Sequence, residues 1–438
     1  MSETKSLSAG FAEVDWTPEP GLPLLGQMHE RIATGTRDPL LANAMALQTD
    51  GTPIVLMSVD ICILDEAFVE AVKKKWTERT GLDAARLLLH STHTHVAPAA
   101  TSILRETAEP QLLARLQDAI VQVGQAALAR LEPVEVFAGT GHMEQMGWNR
   151  RAMYEDGSSR MYGNSTNPGF IGMEGPRDPA LPVLFTRNAS GDITGVVVNF
   201  ATHPNSIEGD VVYSADIPGA SRKYLKQLLG QNVTVLYLTG AAGNTAPSLL
   251  DPFVEAQPWR GNEGLERSGL YLAGQAAQVI AATLEPMAPA VLHLEQTTLS
   301  IPLRPWPQPG EPTYPAWGDS SGDAYYDHAS SMWPEHLQKH SPLAVRVNVL
   351  RIGDAVICTN PAELFVEFGL QIRAQSPARV TFVNELCDGY VGYVPTPLAF
   401  SRGGYETWCA PSSQLDPSAG DQIVAATDEL MKAAWQSV

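Results

Sequence analysis

The chain consists largely of apolar runs that fit buried strands, separated by stretches whose apolar positions recur at helical spacing. The runs that predict strands are 53–60, 87–89, 134–139, 195–201 and 233–238. The stretches that predict helices are 66–79, 110–131, 218–229 and 264–284. Strands that alternate with helices in this way predict an α/β fold, in which a mixed β-sheet core is flanked by helices.

Two long stretches interrupt this alternation. Residues 149–182 are rich in Gly, Asn, Arg and Met, and residues 304–342 are rich in Pro, Trp, Tyr and His. We predict both as long loops, which are often functional when they lack regular structure. The second stretch could line a substrate cleft or could be a surface loop anchored by its aromatic residues, which are Trp306, Trp317, Tyr325, Tyr326 and Trp333.

Polar side chains follow several of the predicted strands. Asp60 and His203 each end an apolar run, and the run 87–89 is followed by three histidines within positions 90–95. Open α/β sheets bind their ligands where strands end. The pattern therefore predicts a functional site at the strand ends.

The histidine segment is the most informative of these strand ends. If the chain stays extended, alternate residues point the same way, so that His93 and His95 share a face and Thr94 points away. Two imidazoles at the end of a buried strand indicate a metal site or a proton-transfer site. The motif is short, and the alternative is a pair of hydrogen-bonded loop histidines.

Composition excludes several classes of function. The chain has 438 residues, 44% of them hydrophobic, and a formal net charge of −19. Such an acidic chain is not expected to bind nucleic acid or anionic membranes. No apolar run approaches the ~20 residues of a membrane helix.

Residues 1–5 lack the apolar region of a secretory signal, so we expect a cytoplasmic protein. The four cysteines form no CxxC pair, which argues against a disulfide framework.

Three further segments carry candidate site residues: 199–206, 358–367 and 384–396. Together with residues 92–98 they resemble, in the same order, motifs of the neutral/alkaline (non-lysosomal) ceramidases, a family of zinc amidohydrolases. The corresponding family motifs are THTHSGP, FAVHGT, PGE and a tyrosine-valine-threonine segment. The resemblance extends from residue 10 to about residue 405 and implies the fold of the family's catalytic domain.

The resemblance implies a zinc ion bound by His93, His203, Glu363 and Tyr393. Zinc prefers nitrogen and oxygen donors, and a catalytic zinc site keeps one position open for water. The bound metal lowers the pKa of that water toward ~7. A phenol with a pKa of ~10 must lose its proton or bind weakly. Tyr390, three residues earlier, is therefore a competing candidate for the tyrosine ligand.

The resemblance also implies three catalytic residues, His95, Arg150 and Tyr405. His95 is the second histidine of the first motif, and Arg150 lies in an Asn-Arg pair like that of the family's NRS segment. An imidazole, a guanidinium and a phenol around the metal would stabilise the oxyanion that forms when water attacks a carbonyl. A surface salt bridge is the alternative role for Arg150.

The chain departs from the family at a loop that supplies an essential serine. Where the family has GDVSPN, residues 243–248 place Ala246 at the serine position, with Thr245 and Ser248 as neighbouring hydroxyls that should point elsewhere. We further expect residues 1–438 to form a single domain, without the family's immunoglobulin-like C-terminal domain. A small polar substrate and no strong membrane association follow as expectations.

The sequence thus predicts a zinc-dependent hydrolase that cleaves an amide bond of a small-molecule substrate. Hydrolysis of an ester, lactone or glycosidic bond at the same metal is an alternative, because a fold does not fix its substrate. A metal-binding protein without catalysis is a third interpretation, which the alanine at position 246 motivates. The sequence does not indicate the oligomeric state.

Overall fold

The computed structural model describes residues 7–102, 108–249, 259–287, 291–307 and 320–436, with residues 320–323 described by their backbone alone. The α-helices in these ranges are α1 Glu66–Thr80, α2 Pro110–Leu128, α3 Asp216–Leu229, α4 Gly261–Ala282, α5 Ser320–His340, α6 Val366–Gln375, α7 Pro397–Arg402 and α8 Ala419–Gln436. Short 3₁₀ turns span Ala84–Arg86 and Tyr405–Thr407. The strands are β1 Ser8–Asp15, β2 Gly35–Thr36, β3 Leu41–Gln48, β4 Ile54–Val59, β5 Leu87–Ser91, β6 Glu132–His142, β7 Trp148–Asn149, β8 Arg151–Tyr154, β9 Ser159–Met161, β10 Phe170–Met173, β11 Ala180–Asn188, β12 Ile193–Phe200, β13 Val212–Tyr213, β14 Thr234–Thr239, β15 Thr245–Ala246, β16 Leu292–Ile301, β17 Leu343–Ile352, β18 Ala355–Thr359, β19 Glu363–Leu364, β20 Val380–Asn384 and β21 Tyr393–Val394.

All nine predicted strands and helices are present, each displaced by no more than three residues at either end. Local signals explain several of these bounds. The Asp65 side chain accepts a hydrogen bond from the Phe68 N–H at the start of α1, and Gly81 adopts a left-handed conformation at its end. Proline at the first position of α2 fits because that position needs no N–H donor.

An eight-stranded mixed sheet forms the largest part of the core, with the strand order β14-β12-β11-β6-β1-β3-β4-β5. The pairs β12–β14 and β4–β5 are parallel, and the other neighbours are antiparallel. The parallel pairs lie at the two edges of the sheet. This arrangement confirms the predicted mixed α/β fold.

A second sheet, with the order β16-β17-β18-β20, packs face to face on the first. Alternate residues of each strand serve the two faces. Leu56 of β4 and Ile357 of β18 lie in the core between the sheets. Met57 and Cys358 lie on the opposite faces of their sheets, where they pack against helices. Helices α1 to α4 cover the outer face of the larger sheet, and α6 and α8 cover that of the smaller one. The result is a four-layer arrangement of helices, two sheets and helices.

The two stretches predicted as long loops contain regular structure, so that prediction is wrong. Strands β8, β9 and β10 form a small antiparallel sheet within 149–182, and α5 occupies the second half of 304–342. The strands are only three or four residues long, too short for a clear period-two pattern. Trp317 lies outside the described residues.

The carboxyl ends of strands from both sheets meet at one end of the molecule. His90 forms a bridge with Cys387, and the Ser91 N–H donates to the Leu386 carbonyl, so that the segment after β5 meets the segment after β20. The chain leaving β12 reaches the same region. Among the helices of the described ranges, none has the length and apolarity needed to cross a lipid bilayer.

Candidate active site

Three of the four predicted metal ligands converge at this end of the molecule. The Oε2 atom of Glu363 lies 3.3 Å from Nε2 of His93 and 3.2 Å from Nε2 of His203. All three side chains are buried. His93 follows β5, His203 follows β12, and Glu363 begins β19 just ahead of α6.

Backbone carbonyls fix which nitrogen of each imidazole faces the cluster. Nδ1 of His93 lies 2.9 Å from the Cys62 carbonyl, and Nδ1 of His203 lies 2.7 Å from the Ala242 carbonyl. A carbonyl only accepts hydrogen bonds, so Nδ1 carries a proton and Nε2 is the ring nitrogen that faces the cluster. This is how proteins orient metal-binding histidines. Burial, followed by the nearby Arg150, lowers the pKa of His203 to about 3, which keeps that ring neutral.

The cluster fits a metal ion. Nε2 of His203 and Oε2 of Glu363 are buried and have no hydrogen-bond partner among the described residues. Donors at ~2.0–2.1 Å around a tetrahedral ion lie ~3.3–3.4 Å from one another, close to the separations observed. Although burial opposes it, the two imidazoles hold the pKa of Glu363 well below its usual range. Two imidazoles and a carboxylate suit zinc.

The two candidate tyrosines have different contacts. The Tyr390 hydroxyl donates to Oε1 of Glu363 over 2.7 Å, which orients that carboxylate. Tyr393 pairs with Glu363 across the parallel strands β19 and β21, its ring lies 6.4 Å from that of His203, and its hydroxyl accepts from Arg150 over 3.2 Å. Burial and then Glu363 raise the pKa of both phenols.

His95 lies close to His93, as predicted, but a turn rather than an extended segment brings the two rings together. Strand β5 ends at Ser91, and His93 has a φ of 69°, so the segment is not extended and alternation does not apply. A turn brings Nε2 of His95 to 3.4 Å from Nε2 of His93. A left-handed conformation at a residue other than glycine is uncommon and costly, and such residues cluster at functional sites.

The environment of His95 includes a carboxylate that the sequence analysis did not identify. Nδ1 of His95 lies 3.3 Å from Oε2 of Glu208, which also accepts from Asn205 and pairs with Arg260. Burial lowers the pKa of His95 to about 4. Although burial opposes it, His95 and Arg260 lower the pKa of Glu208. Glu208 follows His203 by five residues, and this proximity is the only feature of the sequence that could have identified Glu208 as a site residue.

Arg150 is buried, so the surface salt bridge considered for it is wrong. Its Nε donates to Oε1 of Glu406 over 2.9 Å, and its Nη2 donates to the Gly243 carbonyl over 3.0 Å. The other oxygen of Glu406 accepts from Arg151 over 2.7 Å. Glu406 thus holds two buried guanidinium groups. The sequence analysis missed this role, although Glu406 adjoins Tyr405.

A cavity of about 240 Å³ brings the remaining predicted residues together. Its lining includes His95, Arg150, Tyr393 and Tyr405, together with Gly26, Gln27, Met28, His29, Met161, Tyr162, Asn205 and Glu208. Burial raises the pKa of the Tyr405 phenol. A larger groove of about 710 Å³ beside α3 contains none of the predicted site residues. The chemistry therefore places the candidate site at the smaller cavity.

Residues 243–248, the loop that lacks the family's serine, lie beside this cavity. Ala246 is buried and pairs with Trp148 through β15 and β7. The Thr245 hydroxyl donates to the Ala201 carbonyl over 3.1 Å, so its hydrogen is used within the fold. Ser248 lines an adjoining cavity of about 60 Å³, which shares Arg150 with the larger one. The structure thus confirms that the Thr245 hydroxyl points elsewhere.

The aromatic residues of the stretch 304–342 pack within the protein. Trp333 contacts Trp306, and Tyr326 contacts Trp408, with ring centroids 5.8 and 5.3 Å apart. Neither these side chains nor Tyr325 belong to the described lining of the 240 Å³ cavity. Their packing supports the anchoring role, and the cleft-lining role is wrong for the described aromatic residues.

Comparison with known proteins agrees with the resemblance seen in the motifs. No known family profile matches the chain. Neutral ceramidase from Pseudomonas aeruginosa is 22% identical over 389 residues, which cover 74% of this chain and 56% of that protein. The match therefore spans little more than half the length of this relative.

Two solved structures have a similar fold. A ceramidase complexed with C2 gives a TM-score of 0.79 at 18% identity, covering 99% of this chain and 76% of that one. The crystal structure of neutral ceramidase from Pseudomonas aeruginosa gives 0.78 at 19% identity, covering 99% and 75%. The chain is thus related in sequence to neutral ceramidase and has the fold of its solved structures.

Proposed function

We propose that the protein is a zinc-dependent hydrolase that cleaves an amide bond of a small polar substrate. The observation that carries the proposal is the buried cluster of His93, His203 and Glu363, whose ligand atoms all lie within 4.8 Å of one another. The relation to neutral ceramidase supports hydrolysis of a carbon–nitrogen bond.

In this proposal His93, His203 and Glu363 hold the metal, with Tyr393 as the fourth protein ligand. Tyr390 keeps one oxygen of Glu363 occupied and leaves Oε2 for the metal. A bound zinc ion supplies Lewis acidity and lowers the pKa of water toward ~7.

The chain's own side chains would complete the chemistry at the cavity. Arg150, fixed by Glu406 and the Gly243 carbonyl, presents positive charge where the carbonyl oxygen of a substrate becomes negative. Tyr405 donates a hydrogen bond to the same oxygen, since a phenol is protonated at neutral pH. His95, whose Nδ1 lies 3.3 Å from Oε2 of Glu208, lies where it can carry a proton to the leaving nitrogen.

The size and lining of the cavity support a small polar substrate. Its volume of about 240 Å³ lies below the ~300–1,000 Å³ of sites for drug-sized ligands. Glu208, Asn205 and His29 make part of its wall polar. Ala246 also cannot supply the hydrogen bond that a serine would make, and losing such a bond in a desolvated site costs about 1–3 kcal/mol.

We therefore expect a short, polar N-acyl amide to be hydrolysed with a kcat/KM at least ~10-fold above that for a long-chain ceramide, equivalent to about 1.4 kcal/mol. Kinetics on a series of amides that share one head group and differ in acyl length would measure this. The control is the same series after chelation, in which hydrolysis of every member should stop. A long-chain ceramide that reacts as efficiently as the short amide would contradict the prediction.

The role of Tyr405 can be tested by removing its hydroxyl alone. Tyr405→Phe should keep the metal content of the wild type and lower kcat by ~10²–10³, as expected for one oxyanion donor. Tyr325→Phe is a matched control, because Tyr325 donates to Ser412 in the same aromatic cluster but does not line the cavity. Full activity of Tyr405→Phe would show that the ring only packs.

The alternative reactions can be separated with one substrate panel. Glycoside hydrolysis uses two carboxylates, and among the described residues that line the cavity only Glu208 carries one. Amides, esters, lactones and aryl glycosides should be compared with and without chelator. We expect metal-dependent cleavage of amides. Activity on esters alone would overturn the amide assignment, and no activity on any member would favour a metal-binding protein without catalysis.

A further inference from the structure

The loop that follows β14 contacts several parts of the site through its backbone. The Ala242 carbonyl accepts from Nδ1 of His203, and the Gly243 carbonyl accepts from Nη2 of Arg150. The Gly243 N–H donates to the Leu364 carbonyl over 2.9 Å. This loop therefore determines the positions of a candidate ligand and a candidate catalytic side chain, and its own position must be fixed.

A buried carboxylate joins this loop to the strand that carries Glu363. One oxygen of Glu385, Oε2, accepts from the Ala242 N–H over 3.0 Å and from the Leu364 N–H over 2.9 Å. Ala242 orients His203, and Leu364 directly follows Glu363. A single side-chain atom thus connects the backbones that hold two of the three clustered donors.

Glu385 is itself fixed by its main chain. Its N–H donates to the Thr239 carbonyl at the end of β14, and its carbonyl oxygen lies 3.0 Å from Nδ1 of His90 at the end of β5. The Oε2 atom of Glu385 acts in both contacts as a hydrogen-bond acceptor, which the oxygen of a neutral amide side chain could also supply.

We propose that Glu385 is a positioning residue that sets the spacing of the metal ligands His203 and Glu363 through the Ala242 and Leu364 N–H groups. The proposal rests on the proposed function, because it assumes that the cluster binds a metal. Metal sites tolerate changes of only ~0.2 Å in donor distance. Without the shared acceptor, two buried N–H groups lose their partner and the two backbones are no longer connected through one atom.

The test is the zinc affinity of purified protein, measured by competition with a chromophoric chelator. Glu385→Met removes the acceptor at similar volume and should weaken zinc binding ~10–100-fold, the usual effect of losing a group that orients ligands. Glu385→Gln keeps a carbonyl acceptor and should retain an affinity close to that of the wild type. Glu385→Asp, which is too short to reach both N–H groups, should behave like the Met variant and replaces it if that variant does not fold.

A matched control separates positioning from general destabilisation. Asn199 is buried, and its amide bridges the carbonyls of Leu238 in β14 and Val383 in β20 without touching the ligand loops. Asn199→Leu should lower the melting temperature and leave the zinc affinity unchanged. Wild-type affinity in both Glu385→Met and Glu385→Asp would overturn the proposal, as would an equal loss in Asn199→Leu. A wild-type protein that binds no zinc would instead refute the proposed function.

Discussion

Replacing His93 with alanine is expected to remove both the metal and the hydrolytic activity. Its Nε2 atom faces Glu363, and its Nδ1 is held by the Cys62 carbonyl, so the substitution removes an oriented donor from the cluster. Elemental analysis of the protein purified without added metal should fall from about one zinc per chain to background. Amide turnover should fall to the rate of the solution without enzyme.

His142→Ala provides a control for this variant, because His142 is an exposed histidine at the end of β6. It should keep both zinc and turnover. A His93→Ala protein that retains full turnover would show that the reaction does not depend on this cluster.

Replacing Glu406 with glutamine is expected to cause the largest loss of stability. The change leaves Arg150 without its buried carboxylate partner, whereas Arg151 keeps its ion pair with Glu174. Removing one member of a buried ion pair costs about 3–5 kcal/mol, because the remaining charge stays buried without compensation. The free energy of unfolding from urea titrations should fall by this amount. Turnover of the folded fraction should fall as well, since Arg150 loses its anchor.

An exposed ion pair offers the comparison for Glu406. Glu70 pairs with Arg346 at the surface, and exposed pairs contribute about 0–1 kcal/mol. Glu70→Gln should therefore change the free energy of unfolding by less than about 1 kcal/mol. If Glu406→Gln changed the free energy of unfolding no more than Glu70→Gln does, the result would contradict a buried ion-pair network of Glu406 with Arg150 and Arg151.

The sequence predicted the mixed α/β class and nine of its elements, but not the second sheet. Its strands β18 and β20 are buried on both faces, so that Ile357 of β18 packs between the sheets and Cys358 packs under the helices. A strand that is apolar on both faces has no period-two pattern, so nothing in the sequence tells which sheet it joins.

The site was predicted unevenly. His93, His203 and Glu363 come together as the motif resemblance implied, and their roles as ligands remain a prediction. Glu208, Glu385 and Glu406 were missed because the groups that give them their roles, on His95, Ala242 and Arg150 respectively, lie far away in the sequence. The contact of His93 with His95 was predicted for the wrong reason, since a turn at His93 replaces the expected strand. The single-domain organisation and the cytoplasmic location also stay predictions.

The central claim is that one zinc ion binds where His93, His203 and Glu363 meet, and anomalous diffraction at the zinc absorption edge tests it most directly. Crystals of protein purified without added metal should show one strong anomalous peak per chain. We expect it ~2.0–2.2 Å from Nε2 of both histidines and from Oε2 of Glu363, with the Tyr393 hydroxyl as the fourth protein ligand. The absence of a peak at this position, or a peak bound by other side chains, would contradict the account.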